Sequence, residues 1–453
     1  MNVSYTVINP ADESEVTTVD HLGVEGTDEA IANAVKAQRK WARVSPADKA
    51  KLLRRFAEAV GDDVEHLAKL ETTNSGHPIT QARWEAQHVH DVLEYYSGSP
   101  ERLIGQQIPV AGGMDVTFHE PLGVVGVITP WNFPMTIGAW GFAPALAAGN
   151  AVVLKPAEWT PLTSIRLGEI ALEAGLPEGL FQVLPGRGSV IGERFVSHPD
   201  VRKIVFTGST EVGKGIMSGA AQHVKRVTLE LGGKSANIIF EDSDIEKAAA
   251  TAPYSVFDNA GQDCCARSRL LVQRSVYDRF MESFERAVAN VVVGDPLDER
   301  TEVGPLVTLA HRDSVASFIT EDTNIAFRGA APDGPGAWFP PTVVTPERNE
   351  RVATEEVFGP VVSVLPFDDE ADAIELANSS EYGLSGSIWT ENLARGIRVS
   401  RAVESGSLSV NSHSSVRYTT PFGGFKQSGI GRELGPDAPL SFTDTKNVFF
   451  ATE

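Results

Sequence analysis

Two cysteines stand side by side in this chain, Cys264 and Cys265, and there are no others. They fall within Phe257-Asp258-Asn259-Ala260-Gly261-Gln262-Asp263-Cys264-Cys265-Ala266. A disulfide framework needs cysteines spread along the chain, and a zinc site needs ligands spaced around the metal. Adjacent cysteines serve neither purpose well. What is left is a buried filler or a reactive thiol, and a thiolate is a strong nucleophile able to carry covalent chemistry. On this run alone, either cysteine qualifies.

Four other runs hold residue types suited to a reaction. Phe206-Thr207-Gly208-Ser209-Thr210-Glu211-Val212-Gly213 is predicted to follow a strand and open a helix. That arrangement aims backbone N–H groups and the positive helix end at an anion such as a pyrophosphate, with the Ser209 hydroxyl beside them. It is not the full Gly-x-Gly-x-x-Gly pattern, and taken alone it reads better as a plain helix N-cap. Lys155-Pro156-Ala157-Glu158 closes another strand. A lysine and a glutamate there can hold ribose hydroxyls, one donating and one accepting; the plainer reading is a surface ion pair, worth little. Pro130-Trp131-Asn132-Phe133-Pro134 fixes a turn around an asparagine. A held side-chain amide suits an oxyanion, and an Asx turn is an equally common use of Asn. Leu229-Glu230-Leu231-Gly232-Gly233-Lys234 sets one carboxylate among apolar residues. Burial would raise it toward general-base range, unless it simply caps backbone amides.

The elements around these runs have an order that can gather them. Val124 to Thr129, Ala151 to Leu154, Phe181 to Leu184, Lys203 to Phe206 and Arg226 to Leu229 read as strands, with helices predicted over Met135 to Ala148, Pro161 to Ala174, Val190 to Ser197 and Glu211 to Ala221. Such alternation predicts a parallel, doubly wound sheet, which binds ligands beyond the carboxyl ends of its strands. A second alternation starts near Lys234 and predicts a second α/β domain. Earlier, Asp28 to Val60 and Asp62 to Tyr96 have helical periodicity, broken at Ser45-Pro46 and at Gly76-His77-Pro78. Gln107 to Val110 and Asp115 to His119 read as a hairpin, and the strand-like tail Leu440 to Ala451 is free to pair with it.

Bulk properties narrow the partners. A chain of 453 residues has room for two or three domains, and its net charge of -21 argues against nucleic acid or an anionic membrane as partner. Met1 to Pro10 shows no secretory signal. The apolar stretch Leu122 to Leu154 is interrupted by Pro130, Asn132, Pro134, Pro144 and Asn150, so it reads as strand, helix, strand and not as a membrane span. The expected location is the cytoplasm.

Taken together, the runs resemble one family, the NAD(P)-dependent aldehyde dehydrogenases. The resemblance extends from about Ala30 to the end. It rests on the four runs above, on Gly261-Gln262-x-Cys264, on Glu356-Val357-Phe358-Gly359-Pro360, and on Pro421-Phe422-Gly423-Gly424-Phe425-Lys426-x-Ser428-Gly429. Each motif is modest; all of them in order are very specific. The fold implied is α/β: a Rossmann-type parallel-sheet cofactor domain, an α/β catalytic domain and a small β oligomerisation element. The division implied is 1–98 with 120–231, then 232–433, then 99–119 with 434–453. By resemblance, Cys264 is the nucleophile, Asn132 the oxyanion amide and Glu230 the general base. Lys155 and Glu158 match the ribose contacts, Ser209 the pyrophosphate contact, and Glu356 and Phe358 the residues that place the nicotinamide ribose and ring. Thr129, Trp131, Gly188, Gly208, Gly213 and Leu231 complete the implied cofactor set. No metal is implied. Glu158 favours NAD, since a carboxylate repels the extra phosphate of NADP; side-chain rotation admits NADP as well. A Glu at position 230 favours hydrolysis to the free acid over transfer to coenzyme A. Cys265 becomes a packing neighbour.

The same resemblance expects the aldehyde to reach Cys264 past Phe133, Ile137, Trp140, Phe257 and the loop Asn411 to Thr420. Arg417 and His413 in that loop offer anchors for a semialdehyde carboxylate; Glu85 and Asp91 keep an aminoaldehyde open. The alternative to an enzyme is a non-catalytic binding protein that kept the fold, and intact Cys264, Glu230 and Asn132 favour the enzyme. Relatives assemble as dimers or tetramers through elements matching the hairpin and tail, so a homodimer or homotetramer is expected.

Overall fold

In the computed structural model, which describes residues 3–452, the first strand-helix alternation folds into a six-stranded sheet. Its spatial order is Gly429–Ile430, Arg226–Glu230, Val201–Thr207, Val124–Ile128, Ala151–Lys155 and Phe181–Val183. Five of these strands run parallel; only the short Gly429–Ile430 strand is antiparallel to its neighbour. Val124–Ile128 and Ala151–Lys155 are buried throughout, which is why they read as unbroken apolar runs. The helix between them, Pro134–Ala147, is buried on every side. It ends at Gly149, whose φ of +93° is the left-handed turn expected of a glycine there.

The second alternation forms a seven-stranded sheet built around Arg269–Gln273, Ala236–Ile239 and Val361–Phe367. The early hairpin forms as Gln107–Val110 and Gly113–Pro121, and Thr443–Ala451 pairs with Gly113–Pro121 along its whole length. The tail strand starts later than predicted: Ala438–Phe442 is a 3-10 turn, so Leu440 to Phe442 are helical. Several elements fall outside the predicted ones, among them four strands of the second sheet, Ile325–Arg328, Thr342–Val344, Ser385–Trp389 and Ser407–Val410. An N-terminal hairpin, Val3–Ile8 with Glu15–His21, pairs only with itself. Residues Gly188–Gly192 wind as a π-helix ahead of Glu193–Ser197. Among the described residues, no helix is long and apolar enough to cross a membrane.

Candidate active site

Two cavities meet at Cys264. The larger, about 1040 Å³, opens at the carboxyl ends of the parallel strands, where a doubly wound sheet takes its ligand. Its walls bring together Thr129, Trp131, Asn132, Lys155, Glu158, Gly188, Gly208, Ser209, Leu231, Glu356 and Phe358. Ser209 caps the helix Thr210–Ala220, its hydroxyl accepting the Val212 N–H at 3.4 Å, so the helix's positive end faces the cavity. Gly213 does not line it. A side chain at Gly213 would come within 2.5 Å of Leu231, so this glycine lets the helix pack. Lys155 is buried, and desolvation holds its ammonium below the usual lysine range while Glu158 pulls the other way.

The far end of this cavity is aromatic. Trp131 meets Phe358 edge-on at 5.2 Å and His311 at 5.0 Å, and His311 Nε2 lies 2.8 Å from the Phe358 carbonyl. Phe358 holds a φ of +57°, a conformation costly for a bulky side chain and therefore held by its surroundings. Glu356 accepts the Gly233 N–H at 2.7 Å, and burial pushes its carboxyl up to about 7. Gly232 gives it room: a Cβ there would lie 2.6 Å from its second oxygen.

The Cys264 segment is held by its own motif. After the helix Ile245–Phe257 the chain turns through Asn259 and Ala260, both at positive φ, and Gly261. Gln262 braces that turn from inside. Its side chain accepts the Val307 N–H at 2.8 Å and donates to the Asn259 carbonyl at 3.0 Å. Its carbonyl accepts the Asn132 amide at 2.8 Å, and Asn259 donates to the Asn132 carbonyl at 2.9 Å. Asn132 is thereby fixed beside Cys264 with one amide hydrogen uncommitted, the arrangement a developing oxyanion needs. From the other side Gly233 approaches so closely that a Cβ would lie 2.2 Å from the Cys264 carbonyl. Asn132→Ala is expected to lower kcat roughly a hundred- to a thousandfold while leaving cofactor affinity intact, as read by steady-state kinetics beside a fluorescence titration.

Cys264 is half-buried and Cys265 is buried in the core. Their sulfurs and an Asp263 carboxylate oxygen lie within 4.8 Å of one another. The Cys265 side chain, then burial and the charges of Asp263 and Glu356, hold the Cys264 thiol well above its usual range.

The smaller cavity, about 200 Å³, is a tunnel reaching Cys264 from the opposite side. Phe133, Ile137, Trp140 and His413 line it, as do Glu85 and Glu230. Phe257 and Arg417 do not. Phe257 packs in the core of the second domain, and exposed Arg417 turns back to donate to the Ser414 carbonyl at 3.2 Å. Asp91 is likewise outside the tunnel, on the exposed helix face, where Gln87 donates to it at 2.9 Å. Glu230 ends its strand 2% exposed, and neither carboxylate oxygen has a hydrogen-bond partner. Burial, then the nearby Glu433, raises its carboxyl well above the ordinary carboxylate range.

Two groups escaped sequence reasoning. Glu433 lines the tunnel with both oxygens unpartnered, and burial pushes it up to about 8. Its only flag in sequence was a carboxylate shortly after the Gly-Gly-Phe-Lys run. Arg267 is buried behind the cysteines. It donates to Ser387 Oγ, to the Cys265 carbonyl, and to the His413 carbonyl and Ser415 Oγ, so it ties the Cys264-Cys265 segment to the loop Asn411 to Thr420.

Known proteins share this architecture. An aldehyde dehydrogenase of Emericella nidulans is 40% identical, over 99% of this chain and 92% of its own length. The structure of PnpE in complex with nicotinamide adenine dinucleotide superposes with a TM-score of 0.97 at 39% identity, covering 100% of this chain and 95% of that one. A betaine aldehyde dehydrogenase of Staphylococcus aureus, solved with NAD+, gives 0.96 at 36% identity, over 99% and 94%. The similarity begins earlier than Ala30, because the N-terminal hairpin takes part in it: the model of the "Aldehyde dehydrogenase family" matches residues 2–448. With a match of that extent, and whole-length relatives near 40% identity, the chain belongs to the aldehyde dehydrogenase family.

Proposed function

We propose that Cys264, Asn132 and Glu230 carry the aldehyde oxidation of this family, with NAD in the larger cavity and the aldehyde in the tunnel. The protein is an oxidoreductase acting on small-molecule aldehydes with a nicotinamide cofactor. The observation that carries the residue assignment is the position of Cys264, which lines both cavities at once.

A dinucleotide fits the donors present. The capped helix at Ser209 offers its N–H end to the pyrophosphate, Lys155 and Glu158 suit ribose hydroxyls, and the Trp131–Phe358 end is shaped for a flat ring. When bound, NAD supplies a hydride acceptor. The chain does the rest. Cys264 Sγ gives its proton to solvent water and bonds to the aldehyde carbon, whose carbonyl π pair moves onto oxygen, and Asn132 holds that oxyanion. Loss of hydride from that carbon leaves a thioester on Cys264. Glu230 takes a proton from water, which attacks the thioester and frees the acid and the thiol. The test is NADH and acid formation, one for one, on a panel of aldehydes; cofactor binding without NADH from any aldehyde would return the protein to the non-catalytic reading.

Glu158 favours NAD over NADP in this reading. Glu158→Gln is expected to raise the NADP-to-NAD ratio of kcat/KM by about tenfold, the scale of one charge repulsion near a surface. The division into 1–98 with 120–231 for cofactor, 232–433 for catalysis, and 99–119 with 434–453 for assembly is supported by sheet membership. Among the described residues, the Gly429–Ile430 strand crosses it, and the strand Gly113–Pro121 runs two residues past the boundary at 119. Exposed Ile108, Val110, Met114, Phe118, Phe449 and Phe450 on the three-stranded sheet support a homodimer or homotetramer, measurable by sedimentation. A cytoplasmic location accords with the lack of a membrane-crossing helix among the described residues.

A further inference from the structure

We propose that the tunnel selects aldehydes carrying a cationic nitrogen at the end remote from the carbonyl, over uncharged and carboxylate-bearing aldehydes. The inference rests on the reading of the tunnel as the aldehyde's path to Cys264.

The tunnel is short of positive charge. Glu85, Asp258 and Asp263 line it between the exposed rim at Trp84 and Tyr254 and the nucleophile. Glu85 is 1% exposed; one of its oxygens lies 2.6 Å from His77 Nδ1, and the other has no partner. His77 is not a free cation, since it is shared between Glu85 and Glu71, whose ligand atoms all lie within 4.8 Å of one another. Burial, then Asp263 and Glu85, push Asp258 up to about 7, the mark of a carboxylate crowded by others.

The other cations are committed elsewhere. Arg267 lines the tunnel but spends four of its five N–H donors on Ser387, Cys265, His413 and Ser415. His413 is held neutral, burial and then Arg267 pushing it down to about 3. Arg417 lies outside. A substrate carboxylate therefore meets three carboxylates and, of the tunnel's arginine, a single uncommitted N–H. A substrate ammonium meets the unpartnered Glu85 oxygen and Asp258, with the rings of Trp84, Phe133 and Tyr254 available to its charge. A primary ammonium would draw mainly on the carboxylates, a quaternary one on the rings, and both share this chemistry.

The experiment compares kcat/KM, with NAD saturating, for straight-chain aldehydes of matched length ending in methyl, primary ammonium, trimethylammonium or carboxylate. The trimethylammonium compound cannot cyclise on its own carbonyl, so it secures the cationic arm. A cationic terminus is expected to exceed methyl by about ten- to a hundredfold, the scale of a hydrogen bond or contact to a charged group, and carboxylate to fall below methyl. Asp258→Asn and Glu85→Gln, each tested for retained NAD binding, should shrink the cationic-to-methyl ratio by about tenfold, chiefly through KM. Equal kcat/KM for all termini, a preference for carboxylate, or a ratio unmoved in both variants overturns the inference. Oxidation of the methyl compound in those cases leaves the aldehyde dehydrogenase reading standing; no NADH from any compound removes both.

Discussion

Cys264→Ala is expected to lower aldehyde oxidation by roughly four to six orders of magnitude, the scale on which loss of a covalent nucleophile reads, while NAD still binds. Cys264 and Thr207 line both cavities, and of the two the thiol is the far stronger nucleophile. Cys265 lines only the smaller cavity. It is 5% exposed, its N–H is tied to Asp263 at 2.8 Å, and it packs into the core. Single-turnover NADH formation is the measurement. A residual rate within a hundredfold of wild type would move the nucleophile elsewhere. Because Cys265, burial and the nearby carboxylates raise the Cys264 thiol, kcat/KM should climb with pH as the thiol is lost.

Glu230→Gln should separate the two halves of the reaction. Acylation proceeds, so mixing enzyme, NAD and aldehyde gives one equivalent of NADH quickly. Turnover then slows by about a hundred- to ten-thousandfold, because no base activates water against the thioester. Intact-mass spectrometry on the quenched enzyme should find the acyl group on the peptide that contains Cys264. No burst, or unchanged turnover, would remove Glu230 from the base role. The pH dependence has a definite sign. The carboxyl is raised by burial and by Glu433, and only its deprotonated form acts as base. Where hydrolysis limits, kcat rises with pH through a pKa above the ordinary carboxylate range, and the glutamine variant lacks that limb.

Much of this was legible in sequence because the informative residues cluster at strand ends. Asn132, Lys155, Ser209 and Glu230 each follow an apolar strand of one parallel sheet, so an alternation pattern and four short runs placed them together. Gln262 was legible as a motif letter, but not as a brace; its partners Val307 and Asn132 are far along the chain. Gly213 shares its run with Ser209 yet lies one turn further into the helix, where it packs against Leu231 and does not reach the cavity. Phe257 and Arg417 went the same way: neighbours of lining residues in sequence, pointed elsewhere by the helix end and by the loop's own hydrogen bond. The N-terminal hairpin buries little beyond Val7, so its short strands carry a weak apolar alternation and pair only with each other.

The short strand Gly429–Ile430 has a consequence for biosynthesis. It lies against Arg226–Glu230, Gly429 facing Glu230, and Ser428 accepts the Leu231 N–H at 2.8 Å. The first sheet's edge is therefore finished by a segment made some two hundred residues later. A nascent chain that has emerged only through its first domain carries an open sheet edge at Glu230, and that edge cannot close until nearly the whole protein has left the ribosome. Glu230 is thus among the last residues to reach its buried environment, and a chain cut short before Gly429 would keep the walls of the larger cavity yet lack the strand that lies against this carboxylate's backbone.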